Sequence, residues 1–410
     1  MTAPKYVEPS GDQKAGYLHY RRPASPWEIF QKEEGLPVFK GIGMKDSRDL
    51  PRAQWQRYGG LATYIQLFGT NNDTGMYCWE IPSRSASKDI KHFYEERFIV
   101  LEGRGTTEVW KNSGGTKTSF EWQPWSVFSV PINANFRVVN ASSSPAILLG
   151  VNMAPLMINM FQSKSYIFAN PYDFEERFGG NLEDYWKPAE EYEAHPVQGR
   201  AQLTTNLFPD AQNCYLPLDN NRAPGYRWVY PQMVGNTMLG GFIAEYPAGR
   251  YNKAHHHGSG AVLVCMRGAG YSITWPADKG GLTPWKDGKD DLVLWQDYGK
   301  GGMISAAPTG NPRETWFHQH FACSKEPFRL FNFTGGSSFG TGGSRGGSEG
   351  DMVAGVGAEV GDGGSAIPYH LEDLFVRKHF EERLKKEGAE FQMPEEVYTE
   401  AGANIKVMSD

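Results

Sequence analysis

Cysteine is scarce in this chain of 410 residues: Cys78, Cys214, Cys265 and Cys323 are widely spaced and form no CxxC pair. That excludes a disulfide framework and a zinc knuckle, and it fits a reducing cytoplasm. No uninterrupted apolar run approaches the roughly 20 residues that cross a bilayer, and the opening stretch MTAPKYVEPSGDQKAGY is polar, without the apolar core of a signal peptide. A cytoplasmic protein with no membrane partner is expected. Positive charge is not in excess either, since 41 Lys and Arg face 47 Asp and Glu for a net charge of -6. With no basic stripe interleaved with aromatics, nucleic acid is not an expected partner. The chain lacks a nucleophile elbow, an HExxH pair and a paired-carboxylate motif, and no Lys-Ser/Thr follows its Gly-rich stretch, so a P-loop is excluded.

What the chain has in quantity is Gly (48), Pro (26) and aromatic residues, with few long stretches of helical period. This composition indicates an all-β body with turn-rich connections, and the length allows two domains that each bury a core. Short β-type runs separated by turn residues lie between residues 56 and 160 (ATYIQLFG, MYCWEIP, RFIVLEG, TTEVWKN, SVFSVPI, FRVVNAS, AILLGVN). A second series of the same length and order spans 216–334 (GGFIAEYPAG, AVLVCMRG, GYSITWP, DLVLWQD, GGMISAAP, WFHQHFA, FRLFNF), which indicates an internal duplication. Around these lie an N-terminal arm (1–55) with a short helix capped by Ser25-Pro26, a linker (161–215) with one or two helices, a Gly-rich flexible loop (335–366) that could also act as a lid, and a C-terminal helix and tail (367–410). In that last segment Leu371, Leu374, Phe375 and Phe380 recur at helical spacing and are expected to pack on a barrel.

Five of the ten histidines crowd into two short segments, His255-His256-His257 and His318 with His320. A strand alternates its faces, so His255 and His257 share one side, His256 points to the other, and His318 and His320 share a side. If the two strands are neighbours in one barrel, three or four imidazoles converge inside it. Such a set binds a divalent first-row metal and leaves positions open for reactants. Taken one at a time, the segments are equally compatible with a polar surface run and with hydrogen-bonded core histidines.

The spacing of these residues resembles the first motif of the cupin superfamily: Gly, five residues, His-x-His, three or four residues, Glu, six residues, Gly. Gly249 is followed by RYNKA, then His255 and His257, then GSG, Ala261, VLVCMR and Gly268, so only the Glu is replaced. The second motif, PxG followed by a His and then an Asn, is matched by Pro308-Thr309-Gly310, His318 and, in place of Asn, Ala322. The first half resembles the same pattern in degenerate form, with His92, Glu96 and Gly103 in register but Ile90 and Phe136 at the other two histidine positions. The resemblance implies two tandem cupin barrels (double-stranded β-helix, jelly-roll) with a few flanking helices, the first of them metal-free.

Loss of the Glu at Ala261 is similar to the gentisate 1,2-dioxygenase type of bicupin, whose site is a three-histidine Fe(II) centre. The resemblance implies His255, His257 and His318 as ligands of Fe(II), with Mn, Ni or Zn as alternatives. One departure concerns position: in those enzymes the metal lies in the first cupin, so the substrate does not carry over.

On this reading the protein is a non-haem Fe(II) dioxygenase that uses O2 to cleave a C–C bond of a chelating hydroxylated aromatic, enol or dicarbonyl substrate, working as a homo-oligomer. A metal-dependent isomerase, epimerase or lyase that does not use O2 is the alternative, and a non-catalytic binding or storage bicupin is a third. His320 is the candidate for acid/base work, a supporting role or a fourth ligand. Trp316, Tyr271 and Trp275 are candidates for stacking on substrate. Arg329 is taken as the anion-binding residue, with Arg250 and Arg313 also near the motifs. Cys265, in register with Ala261 and Leu263, reads as core packing.

Overall fold

The β-branched and aromatic runs between turn residues form strands throughout a computed structural model of the chain. It describes residues 22–400 except 71–72, 178–180, 188, 190, 195–198, 235–237, 259, 312–313 and 335–356. Most of the Gly-rich loop therefore lies outside the described residues. The strands form two barrels, each a large sheet closed over a four-stranded one. In the first, strands Gly75–Ile81, Ala146–Asn152, Glu96–Glu102 and Val127–Ser129 lie side by side, faced by Ser85–Ala86, Asn135–Asn140, Gly105–Trp110 and Thr118–Trp122. In the second, Gly240–Tyr246, Phe328–Thr334, Ala261–Arg267 and Met303–Ser305 are faced by His255–His257, Trp316–Ala322, Ala269–Pro276 and Leu294–Gly299. The order is the same in both, so a double-stranded β-helix is present twice.

The flanking segments do not stay outside the barrels. Val38–Gly41, from the N-terminal arm, pairs in parallel with Leu61–Leu67 of the first barrel, while Gly43–Met44 pairs with Met303 and Ile304 of the second. Leu207–Phe208 of the connecting segment returns to the first barrel beside Val127 and Phe128, and Ala201–Thr204 joins the second beside Tyr230–Gln232. Each barrel's large sheet is thus extended by strands from outside its own series.

The first helix runs over Pro26–Glu34, with Ser25 and Glu28 forming a reciprocal capping box and Gly35 in the left-handed conformation at its end. Two helices, Ala154–Phe161 and Lys164–Ala169, leave the first barrel. They come earlier than expected, because the acidic stretch after Pro171 forms only a single tight turn at Glu175–Arg177 among its described residues. The C-terminal helix, Leu374–Glu387, packs through Val376, Phe380 and Leu384. Leu371 and Leu374 do not take part: both are exposed, since the helix begins at Leu374, capped by Asp373, and its buried stripe starts two residues later at Val376. No helix among the described residues is long and apolar enough to cross a membrane.

Candidate metal centre

The two histidine segments are neighbouring antiparallel strands. His255 lies opposite His318 and His257 opposite Trp316, and the alternation of strand faces brings the imidazoles of His255, His257 and His318 to one side. Ring centroids lie 4.2 Å apart for His255 and His318 and 4.4 Å for His257 and His318. One nitrogen from each lies within 4.8 Å of the others, and this trio is the one group of three or more metal-ligating side chains so arranged among the described residues. Metal–nitrogen bonds of ~2.0–2.1 Å require only a small inward turn of the rings from that spacing.

Backbone carbonyls fix which nitrogen faces inward. Nδ1 of His255 lies 3.2 Å from Lys253 O, that of His257 2.7 Å from Gly258 O, and that of His318 3.2 Å from Trp316 O. A ring whose Nδ1–H donates to a carbonyl presents Nε2 with its lone pair, as a metal ligand must. Burial holds the three rings well on the neutral side: it lowers the His257 pKa to about 4 and those of His255 and His318 well below the ordinary imidazole value, with mutual repulsion and the charge of Arg222 acting in the same direction. The set therefore fits a divalent cation. His256, as expected, points elsewhere, its ring edge-on to Phe317 at 4.9 Å, while its backbone N–H donates to Ser365 O.

His320 shares the inner face, 5.5 Å from the His318 ring, but lies outside the three-nitrogen cluster. Its Nδ1 is 2.6 Å from the Ser272 hydroxyl, which is 2.8 Å from the Tyr298 hydroxyl, so three side chains form a buried hydrogen-bonded row. Desolvation takes the His320 pKa down to about 3, with the charge of Arg222 adding to it. Two residues missed in the sequence complete the surroundings. Asn252 accepts the backbone N–H of His320 through Oδ1, donates through Nδ2 to Lys253 O and lies 3.1 Å from Nδ1 of His255, so it sets the spacing between the two histidine strands. Arg222 is the other, and its charge reaches all four inner imidazoles. The position of Asn252, three residues before His255, was a usable signal; nothing local marked Arg222.

The aromatic and arginine candidates separate. Trp316 stands half-buried on the histidine face, opposite His257. Tyr271 and Trp275 do not line the centre. They lie opposite Phe321 and Phe317 on the outer face, where Tyr271 stacks on Phe321 at 4.4 Å and Trp275 on Phe317 at 5.5 Å, in the core beneath the C-terminal helix. The inner positions of that strand belong to Ser272 and Thr274, opposite His320 and His318. Arg329 is also elsewhere, pairing with Glu245 at 2.7 Å and donating to the carbonyls of Ala211 and Cys214, where it ties the connecting segment to the barrel. Arg250 lies with its guanidinium against Gly225, and Arg313 lies outside the described residues. Cys265 is buried with Ala261 and Leu263.

The first barrel presents the same positions with different contents. Ile90 bridges Phe136 as His255 pairs with His318, and Glu96 opens its strand as Ala261 does. His92 Nε2 lies 2.8 Å from Glu96, whose other oxygen accepts from the Tyr77 hydroxyl at 2.7 Å and the Asn152 amide at 2.9 Å.

Fold and site together define a protein of two double-stranded β-helix barrels with a histidine-built centre, fit for a metal ion, in the second. No protein-family model matches the chain, and no curated protein matches it. Solved structures similar to it include oxalate decarboxylase of Lactobacillus farciminis as a formate complex (10% identity, 70% of this chain and 85% of that one, TM-score 0.43). Others are a variant of Bacillus subtilis oxalate decarboxylase OxdC (10%, 72% and 77%, 0.44) and vicilin from hazelnut, Corylus avellana (9%, 70% and 86%, 0.42). Likeness this remote says nothing about the reaction.

Proposed function

We propose that the second barrel is the active site of a non-haem Fe(II) dioxygenase that cleaves a C–C bond of a chelating hydroxylated aromatic, enol or dicarbonyl substrate, both atoms of O2 entering the product. The observation that carries this reading is the charge of the centre. Its three ligands are neutral imidazoles, Ala261 stands where a carboxylate would offset the ion, and Arg222 adds positive charge nearby. Such a site favours an anionic chelator, such as an ionised phenol or enolate, over water. A ferrous ion held there would supply the one-electron chemistry that O2 requires.

The protein's own part is positioning. His255, His257 and His318 present their Nε2 atoms from a rigid pair of strands, and Asn252 keeps those strands in register. Trp316 offers a flat apolar wall beside His257 for the ring or chain of the substrate. His320 stands beside the ligands as a hydrogen-bonding partner for the substrate hydroxyl, held in place by Ser272 and Tyr298.

That same row of His320, Ser272 and Tyr298 supports a second reading, a metal-dependent isomerase or lyase that moves protons without O2. Oxygen uptake separates the two. After anaerobic iron loading, a panel of phenolic acids and 1,3-diketones should produce substrate-dependent uptake that His257→Ala abolishes. Turnover without uptake favours the lyase, and an inability to retain any metal overturns both readings.

A further inference from the structure

The strand that carries two of the three metal-ligating histidines, His255–His257, is only three residues long and stands at the end of its four-stranded sheet, beside Trp316–Ala322. A strand in that position presents a second row of backbone groups that need partners. Here they find them in a segment from the C-terminal part of the chain. His255 bridges Ala366 in antiparallel register, and two bonds flank the bridge: His256 N–H donates to Ser365 O at 3.1 Å, and Ile367 N–H donates to Ala254 O at 2.7 Å.

The covering segment is shaped by its own bonds. Val360 N–H donates to Ala366 O at 2.8 Å, the N–H groups of Asp362 and Gly364 both donate to Glu359 O, at 2.9 and 2.8 Å, and those of Ser365 and Ala366 donate to Ala358 O, at 3.0 and 3.1 Å. Gly363 takes the left-handed conformation in this loop, and a Cβ on Gly364 would collide with Ala358 O. The loop sets Glu359 against Lys253, two residues ahead of His255, in a half-buried ion pair. Past the bridge, Ile367 and Tyr369 are buried in the core beneath the C-terminal helix, and the Tyr369 hydroxyl donates to Tyr251 O at 2.7 Å. The segment is therefore anchored on both sides of its contact with the histidine strand. That contact itself is two backbone bonds and one ion pair, each a modest net contribution, so its balance is within reach of an ion bound on the strand's other side.

We propose that Ala358–Ile367 is a strap that positions His255 and His257, so that docking of the strap and binding of a metal at the three-histidine centre strengthen each other. An ion fixes the two rings and with them the strand that offers His256 N–H and Ala254 O to the strap. A docked strap already holds that strand in place for the ion. Linkage makes the two effects equal in size. The inference rests on the metal centre described above and is independent of whether the reaction uses O2. Lys253 and Glu359 are positioning residues, acting through the strand and not on the ion.

The test adds Co(II) to the metal-free full chain and reads its affinity from the visible spectrum. Glu359→Gln and Lys253→Met should each weaken binding roughly tenfold, and Glu359→Asp should recover part of the loss. The shared sign is decisive. If only the field of these charges acted on the ion, removing the Lys253 cation would tighten binding while removing Glu359 weakened it. Asp362→Asn, which removes an exposed carboxylate from the same loop, should change the affinity less than about twofold. Hydrogen exchange on the unaltered chain gives the reciprocal measurement: cobalt should slow exchange of the His256 and Ile367 amides by a comparable factor, roughly tenfold. Opposite signs for the two variants, unchanged affinity in both, or bound cobalt that leaves these amides unaffected overturns the strap and leaves the metal centre standing. A parent chain that binds no cobalt overturns the metal centre itself, and the coupling with it.

Discussion

The two barrels share one strand order yet differ at the positions that decide what each can hold. Ile90 faces Phe136 where His255 faces His318, and Glu96 stands where the second barrel has Ala261. In the first barrel the remaining polar groups satisfy one another: His92, Tyr77 and Asn152 all converge on the Glu96 carboxylate. Apolar bulk fills the rest, with Phe136, Phe98 and Phe128 fully buried in mutual contact or through shared neighbours. In the second barrel the imidazoles of His255, His257 and His318 are each tied to a carbonyl through Nδ1, and Ala261 stands where a carboxylate could close the network. A fold can thus keep its hydrogen-bond ledger closed internally, or leave it open for a ligand, by changing a handful of inward-facing residues.

The contrast is broken most severely if the wrong barrel holds the metal. His257→Ala or His318→Ala should reduce bound metal more than ~100-fold in affinity, measured by elemental analysis after dialysis, whereas His92→Ala should leave the content unchanged. Metal lost with His92 instead would reverse the roles of the two halves. Next in size is the apolar filling: Phe136→Ala should cost about 3–5 kcal/mol in urea unfolding without altering metal content.

A third comparison sets Glu96 against Glu372, a half-buried carboxyl under the outer face of the second barrel that accepts from the Tyr251 hydroxyl and, at 3.3 Å, from Gln319. Burial raises its pKa from 4.5 to about 8. The folded chain therefore keeps a proton that the unfolded chain releases, and the stability tied to that proton is complete below about pH 4.5 and declines as pH rises to about 8. Glu372→Gln should match the parent near pH 4.5 and exceed it by a few kcal/mol at pH 8, read as a difference in Tm that grows with pH. A constant difference across that range would refute the account. The smallest effect is expected from Asn252→Ala, about a tenfold loss of metal affinity with His320 repositioned and no change in the first barrel.

Much of the centre was legible because its residues lie in two short runs whose faces follow from strand period alone. The placement of Ile90 and Phe136 was legible for the same reason, through motif spacing. Tyr271 and Trp275 were misplaced because proximity to the motifs was used without counting faces across the strand pair: both fall opposite residues that alternate with the histidines. Arg329 and Arg222 depend on tertiary partners. Glu245 neutralises the one across a strand pair, and the turn that carries the other lies more than thirty residues before His255 and meets it only through a backbone contact at Lys253. Leu371 and Leu374 show that helical spacing does not by itself specify which turn of a helix touches the barrel.

The strands lent to each barrel by the arm and the connecting segment have a practical consequence for anyone wishing to express one half alone. A fragment cut between the two strand series would lose Gly43–Met44 from the edge beside Met303, or Leu207–Phe208 from the edge beside Val127. Each cut bares hydrogen-bonding groups next to apolar side chains, the geometry that recruits a second chain edge to edge. Isolated halves should therefore associate or precipitate, and the histidine centre is best studied in the intact chain.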